Sequence, residues 1–151
     1  MSDLEQLATS TRLAFEDVRR RSAAGEPKWN PNLMVEVLEP AMVGQTPTLV
    51  LIAPWTISGL MFLADGAALP ELTVGKRRFA VRVDSIDTIG TYASVNLVPD
   101  VSGLADQEDA RHAATALALP FRKAVARALQ ERTVADPSRR DLFRRLGGTS
   151  T

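Results

Sequence analysis

The sequence predicts an α+β fold, an antiparallel sheet of four or five strands with an amino-terminal helix and carboxyl-terminal helices packed against it. Three observations predict it. Apolar residues recur at helical spacing near the amino terminus and again beyond position 106. Strand-like runs fill the interval between them. The links joining those runs are short and hold no crossover helix, so antiparallel pairing is the natural topology.

The first helix begins near Asp3, which can cap it, and Leu4, Leu7, Ala8, Phe15 and Val18 fall on one face. Arg19, Arg20 and Arg21 suit the carboxyl-end dipole as a solvated helix end, and Gly25 supplies a stop. A turn-rich connector, "EPKWNP", follows. Five strands are then expected: Leu33–Leu38, Thr48–Ala53, Ile57–Leu63, the run "RRFAVRVD", and Tyr92–Val98. In the fourth, Phe79, Val81 and Val83 alternate with Arg78, Ala80, Arg82 and Asp84. In the fifth, Tyr92, Ser94, Asn96 and Val98 alternate with Ala93, Val95 and Leu97. Asp106 or a neighbour starts a helix through "QEDARHAATALAL", and Pro120 suits the first turn of another, "FRKAVARALQER". Residues 1–132 are expected to form one domain. Residues 133–151 are expected to form a basic tail, a short helix or disordered.

The chain has 151 residues, 45% apolar and 24% charged, enough for one real core. Its 18 basic and 18 acidic residues leave no net charge, so nothing marks a nucleic-acid surface. Cysteine is absent and histidine occurs once, which removes disulfides, thiolate metal sites and cysteine nucleophiles. No cofactor is expected. The amino terminus is acidic from position 3 and carries no apolar signal core. The most apolar stretch, Leu49 to Leu63, is shorter than the roughly 20 residues of a spanning helix, and Pro54 would break it. No membrane insertion is expected, and a cytoplasmic location is.

That stretch raises its own question. Strands two and three are apolar on both faces, so either both faces are covered or one awaits a partner. Pro54 has no donor for a ladder and belongs at a strand end, bulge or edge. Trp55 beside it is either a core residue at a strand corner or a half-exposed aromatic that a peptide or protein reads. "SRRDLFRR", from Ser138 to Arg145, resembles a twin-arginine export signal but lacks the hydrophobic stretch that should follow. It reads as a basic amphipathic tail docking through Leu142, Phe143 and Leu146, or as a mimic of a twin-arginine ligand. His112, one turn after Glu108, makes no metal site alone. Asp84 and Asp87 are either turn aspartates or a carboxylate pair for acid–base work. "VGKRR" lacks the spacing of a phosphate loop, and no nucleophile elbow is present.

Six segments in order resemble the HybE/HupJ family of nickel–iron hydrogenase assembly chaperones: "AFEDVRRR", "NPNLMVEV", "LVLIAPW", "RRFAVRV", "GTYASVNLVPDV" and "PSRRDLFRR". The resemblance runs from about residue 12 to 146. It implies a non-enzymatic cytoplasmic protein that binds the hydrogenase small subunit or its twin-arginine leader, with other maturation factors as further partners. Without cysteine, the chain is similar to the variety lacking a rubredoxin-like domain. It departs from the family pattern after Pro54-Trp55, where Thr56, Ile57 and Ser58 replace Phe-Met-Asn. A binder of two guanidinium groups and an apolar run needs carboxylates beside an apolar groove. The client-binding residues so implied are Pro54, Trp55 and Tyr92 with Asp84, Asp87 and Asp100. Two other readings compete: a permanent structural subunit of a larger hydrogenase-type complex, and a small hydrolase built on Asp84 and Asp87.

Overall fold

The computed structural model describes residues 2–22, 29–63, 69 and 71–135. In chain order the elements are α1 (Asp3–Arg21), β1 (Glu36–Val43), β2 (Thr46–Ala53), β3 (Thr56–Met61), β4 (Glu71–Val74), β5 (Arg77–Ala80), β6 (Arg82–Ile86), β7 (Gly90–Val98) and α2 (Gln107–Ala135). The five-stranded sheet has the order β1-β2-β3-β7-β6 and every pairing in it is antiparallel. The expected α+β architecture is therefore present.

Turn chemistry sets the register. β1 and β2 are joined by Gly44-Gln45, with Gly44 at φ 59°, and β4 and β5 by Gly75-Lys76, with Gly75 at φ 62°. A glycine at the first central position suits a two-residue hairpin whose twist matches its strands. β2 and β3 are joined by Pro54-Trp55 alone, and Ala53 pairs with Thr56. Pro54 thus occupies a tight hairpin turn, where its missing donor disturbs no ladder.

The sheet has two faces because alternate residues point opposite ways. On one, Val50, Ile52, Ile57, Met61, Ala93, Val95 and Leu97 form the larger core with Ala110, Ala114, Ala118, Phe121 and Val125 of α2. The β4–β5 hairpin adds Leu72 and Val74 to that core. On the other, Leu49, Leu51, Ala53, Leu60 and Tyr92 meet Phe15 of α1 and Val35. β2 and β3 are consequently buried on both faces by the chain's own elements.

Several expectations need correction. α1 is capped by Ser2, whose Oγ accepts from the Glu5 N–H at 3.1 Å, while Asp3 lies within the first turn. The helix ends at Ser22, which donates through both its N–H and its Oγ to the Val18 carbonyl, ahead of Gly25. The predicted apolar stripe is completed by Thr11, buried because its Oγ1 donates back to the Leu7 carbonyl at 2.7 Å. The first strand starts at Glu36, since Leu33 and Val35 enter opposite cores, which no strand permits to residues two apart. "RRFAVRVD" is two strands: β5 pairs with β4 in a separate hairpin, and β6 pairs with β7. Finally, α2 runs unbroken through Pro120. A proline inside a helix costs about 3 kcal/mol. Here Ala110, Ala114 and Ala118 before it and Phe121 and Val125 after it bury one continuous stripe. The expected tail motif from Ser138 to Arg145 lies outside the described residues.

Candidate functional site

α1 packs across β1 and β2 and reaches Tyr92 through Phe15, and the rest of the same face, over β7 and β6, is only partly covered. The register decides what stands there. Asp84 of β6 is paired with Tyr92 of β7, Arg82 with Ser94, and Ser94 in turn with Leu60 of β3. Ser58 pairs with Asn96. The alternation expected for Tyr92, Ser94 and Asn96 thus puts all three on one face, with Tyr92 buried beside Phe15 and Ser94 and Asn96 half-buried beyond it. A polar floor results: Ser58 Oγ donates to Asn96 Oδ1 at 3.0 Å, and Thr56 Oγ1 donates to the Val98 carbonyl at 3.3 Å.

Beside that floor the groove widens into a compartment of ≈ 590 Å³, lined by Phe15, Val18, Ser22, Trp29, Trp55, Asp84, Ile86 and Tyr92. A smaller compartment of ≈ 210 Å³ shares Phe15, Trp55, Asp84 and Tyr92 with it and extends over Ser58, Arg82, Ser94 and Asn96. The two form one trough. Its aromatic wall is organised: Phe15 meets Tyr92 edge to face at 5.8 Å between centroids, and Trp29 lies against Trp55 at 4.9 Å and 36°.

Trp29 is held there by its neighbour. Asn30 is buried and donates through Nδ2 to the carbonyls of Val101 at 3.0 Å and Leu104 at 2.7 Å. Its Oδ1 accepts from the Asn32 N–H at 2.9 Å, and its own N–H donates to the Pro54 carbonyl at 2.7 Å. One side chain therefore fastens the connector to the β2–β3 turn and to the loop before α2. The sequence shows here only the turn-rich connector "EPKWNP". Neither Trp29 nor Asn30 was singled out, because their partners are distant in the chain.

The expected site residues divide. Trp55, Asp84 and Tyr92 come together on the trough, and Trp55 is half-buried. Pro54 is buried in the turn beneath, serving as the acceptor for Asn30. Asp87 is in the β6–β7 turn, at the other end of β7 from the Pro54-Trp55 turn. There it lines a separate depression with Leu13, Asp17, Arg20 and Arg21. Asp100 follows β7 and caps its own turn, accepting from Ser102 N–H at 3.0 Å and Ser102 Oγ at 2.6 Å. The three aspartates do not converge, and Asp84 alone faces the groove. The arginine run is paired within its helix, Arg19 to Glu16 at 3.2 Å and Arg21 to Asp17 at 2.9 Å. His112 meets Glu108 at 3.3 Å on an exposed face.

Burial pushes the Tyr92 phenol above its ordinary range, and the nearby Asp84 carboxylate adds to that while Arg82 opposes it. The carboxylate and the ring therefore interact across the strand pair. The arrangement offers stacking surfaces, one carboxylate and a polar floor, which suits binding an extended chain.

Among the described residues, no helix is long and apolar enough to cross a membrane. The family described as NiFe-hydrogenase assembly, chaperone, HybE matches residues 6–145. The solution structure of HybE from Escherichia coli is similar in fold, with TM-score 0.57 at 19% identity over 78% of this chain and 77% of that one. No curated protein matches the sequence.

Proposed function

This chain belongs to the HybE family of nickel–iron hydrogenase assembly chaperones, and we propose that its open trough receives the hydrogenase small subunit or that subunit's leader peptide in the cytoplasm before assembly or export. The observation that carries this reading is the half-covered face: α1 packs on β1 and β2 and reaches β7 through Phe15 against the buried Tyr92, and the half-buried Trp55 and the exposed Asp84 stand beside that contact. Both apolar strands that needed covering are covered by the chain itself. The guest therefore meets the flank beside them, made by β7 and β6.

An extended peptide laid along β7 would set side chains against the aromatic wall and its amides against Ser94 and Asn96. This is a binding role, and the trough needs no bound cofactor for it.

Capture tests the proposal. Purified chaperone is immobilised and challenged with a leader-bearing small subunit and with the leader alone. Retention at micromolar concentration, weakened by Trp55→Ala, is the supporting result. Failure of both ligands with the wild-type protein would sink it. Co-purification in fixed stoichiometry with the mature enzyme would instead favour a permanent subunit.

A further inference from the structure

Both tryptophans and the lone tyrosine of this chain line one compartment, together with Phe15 and, among the described residues, a single carboxylate, Asp84. That composition is chemically selective. Aromatic faces attract a cation through their quadrupoles, and tryptophan does so best. Asp84 makes no ion pair among the described residues, although its Oδ1 accepts from the Ser85 N–H at 3.0 Å. It stands at the compartment's wall as a free negative charge with acceptor capacity to spare. Arg82, on the same strand face, lines only the smaller compartment.

We propose that this compartment is an arginine subsite: it takes one guanidinium group of an extended peptide, stacked on the Trp55 face and hydrogen-bonded to Asp84. The inference rests on the reading of the trough as a peptide groove and specifies what that groove reads.

Guanidinium fits better than ammonium for two reasons. It is planar, so it lies flat on an indole, and it is weakly hydrated, so leaving water costs it less. Its fork of donors also matches a carboxylate edge-on. The count matters as much as the chemistry. Asp87 and Asp100 are elsewhere, so among the described residues the compartment has one carboxylate for one guanidinium. A ligand with two adjacent arginines thus has only one of them read here.

Trp29 and Trp55 are the only tryptophans, so intrinsic fluorescence reports on the compartment directly. The probes are capped peptides Gly-Ser-Arg-Arg-Leu-Gly and its Lys-Arg, Arg-Lys and Lys-Lys versions, titrated into the full chain. The Arg-Arg peptide should change the emission saturably. One single-lysine peptide should bind within about twofold of it, and the other, like Lys-Lys, about tenfold more weakly. Asp84→Asn should weaken the Arg-Arg peptide about fivefold and flatten its salt dependence. Asp87→Asn and Asp100→Asn should leave it unchanged, and Trp55→Phe provides a folded variant with a weaker stacking face. Equal binding of Arg-Arg and Lys-Lys would overturn the proposal, as would indifference to Asp84→Asn or equal harm from both single-lysine changes. Capture of the small subunit is measured in parallel. Capture that ignores Asp84 and the lysine changes removes the arginine subsite and leaves the chaperone reading intact. Peptide binding without capture does the reverse.

Discussion

Phe121 of α2 lies against the bare backbone of Gly59 in β3, so closely that a Cβ at position 59 would stand 2.5 Å from its ring. Both are fully buried, Phe121 at 1% exposure, at the centre of the larger core. Gly59→Ala should therefore destabilise the protein by about 1–3 kcal/mol, because the ring must move in a close-packed interior. Urea denaturation measures it. Adding Phe121→Leu should recover part of the loss, a non-additivity that a double-mutant cycle reads. A Gly59→Ala protein as stable as the wild type would contradict this contact.

Asn30 should be costly to replace. Asn30→Ala removes donors from the carbonyls of Val101 and Leu104 at once, which should cost about 2–3 kcal/mol. Asn30→Asp should be worse, since an acceptor then faces two carbonyls. Thermal denaturation gives the ranking, and the freed connector should also shift the emission of Trp29.

Tyr92 is the only tyrosine, so tyrosinate absorbance titrates one group. Its pKa is raised, first by burial and then by Asp84. Asp84→Asn should lower it, and Arg82→Gln should raise it further. The stability sign follows from linkage. The folded state holds this proton more tightly than the unfolded one, so the contribution is intact below the ordinary tyrosine value near 10. It is lost as pH rises from there through the folded-state pKa. A wild-type titration at or below the ordinary value would contradict the burial of the phenol beside a carboxylate.

Gln107 should matter more than its exposed neighbours. Its side chain accepts from the Met34 N–H at 2.8 Å and donates to the Met34 carbonyl at 3.2 Å and Glu36 Oε1 at 2.8 Å, tying the start of α2 to β1. Gln107→Ala should cost about 1–2 kcal/mol by denaturant titration. Glu108→Ala, whose partners Arg111 and His112 are exposed, should change little.

What could be read from the sequence follows from where each signal is local. β2, β3 and β7 were legible because continuous burial or strict alternation is written into adjacent residues. β1 was misplaced because Leu33 and Val35 look like one strand face and instead plug two cores. β5 and β6 merged because the alternation of Phe79, Val81 and Val83 continues across the point where the chain passes from hairpin to sheet edge. Pro120 read as a helix start, since the stripe that overrides it is a tertiary fact. Of the site, Trp55, Asp84 and Tyr92 were legible as residues. Their assembly was not, because strand register and the Trp29–Trp55 contact decide it. Asp87 and Asp100 looked equivalent to Asp84 until the turns carrying them were placed.

The most direct test of the account is amide hydrogen exchange on the chaperone with and without its small subunit. The predicted result is new protection in 82–86, in 92–96 and around Trp29 and Trp55, with the outer face of α2 around Leu119 unchanged. Protection confined to α2, with the trough exchanging as fast as in the free protein, would contradict the claim that the face α1 leaves open is where the client sits.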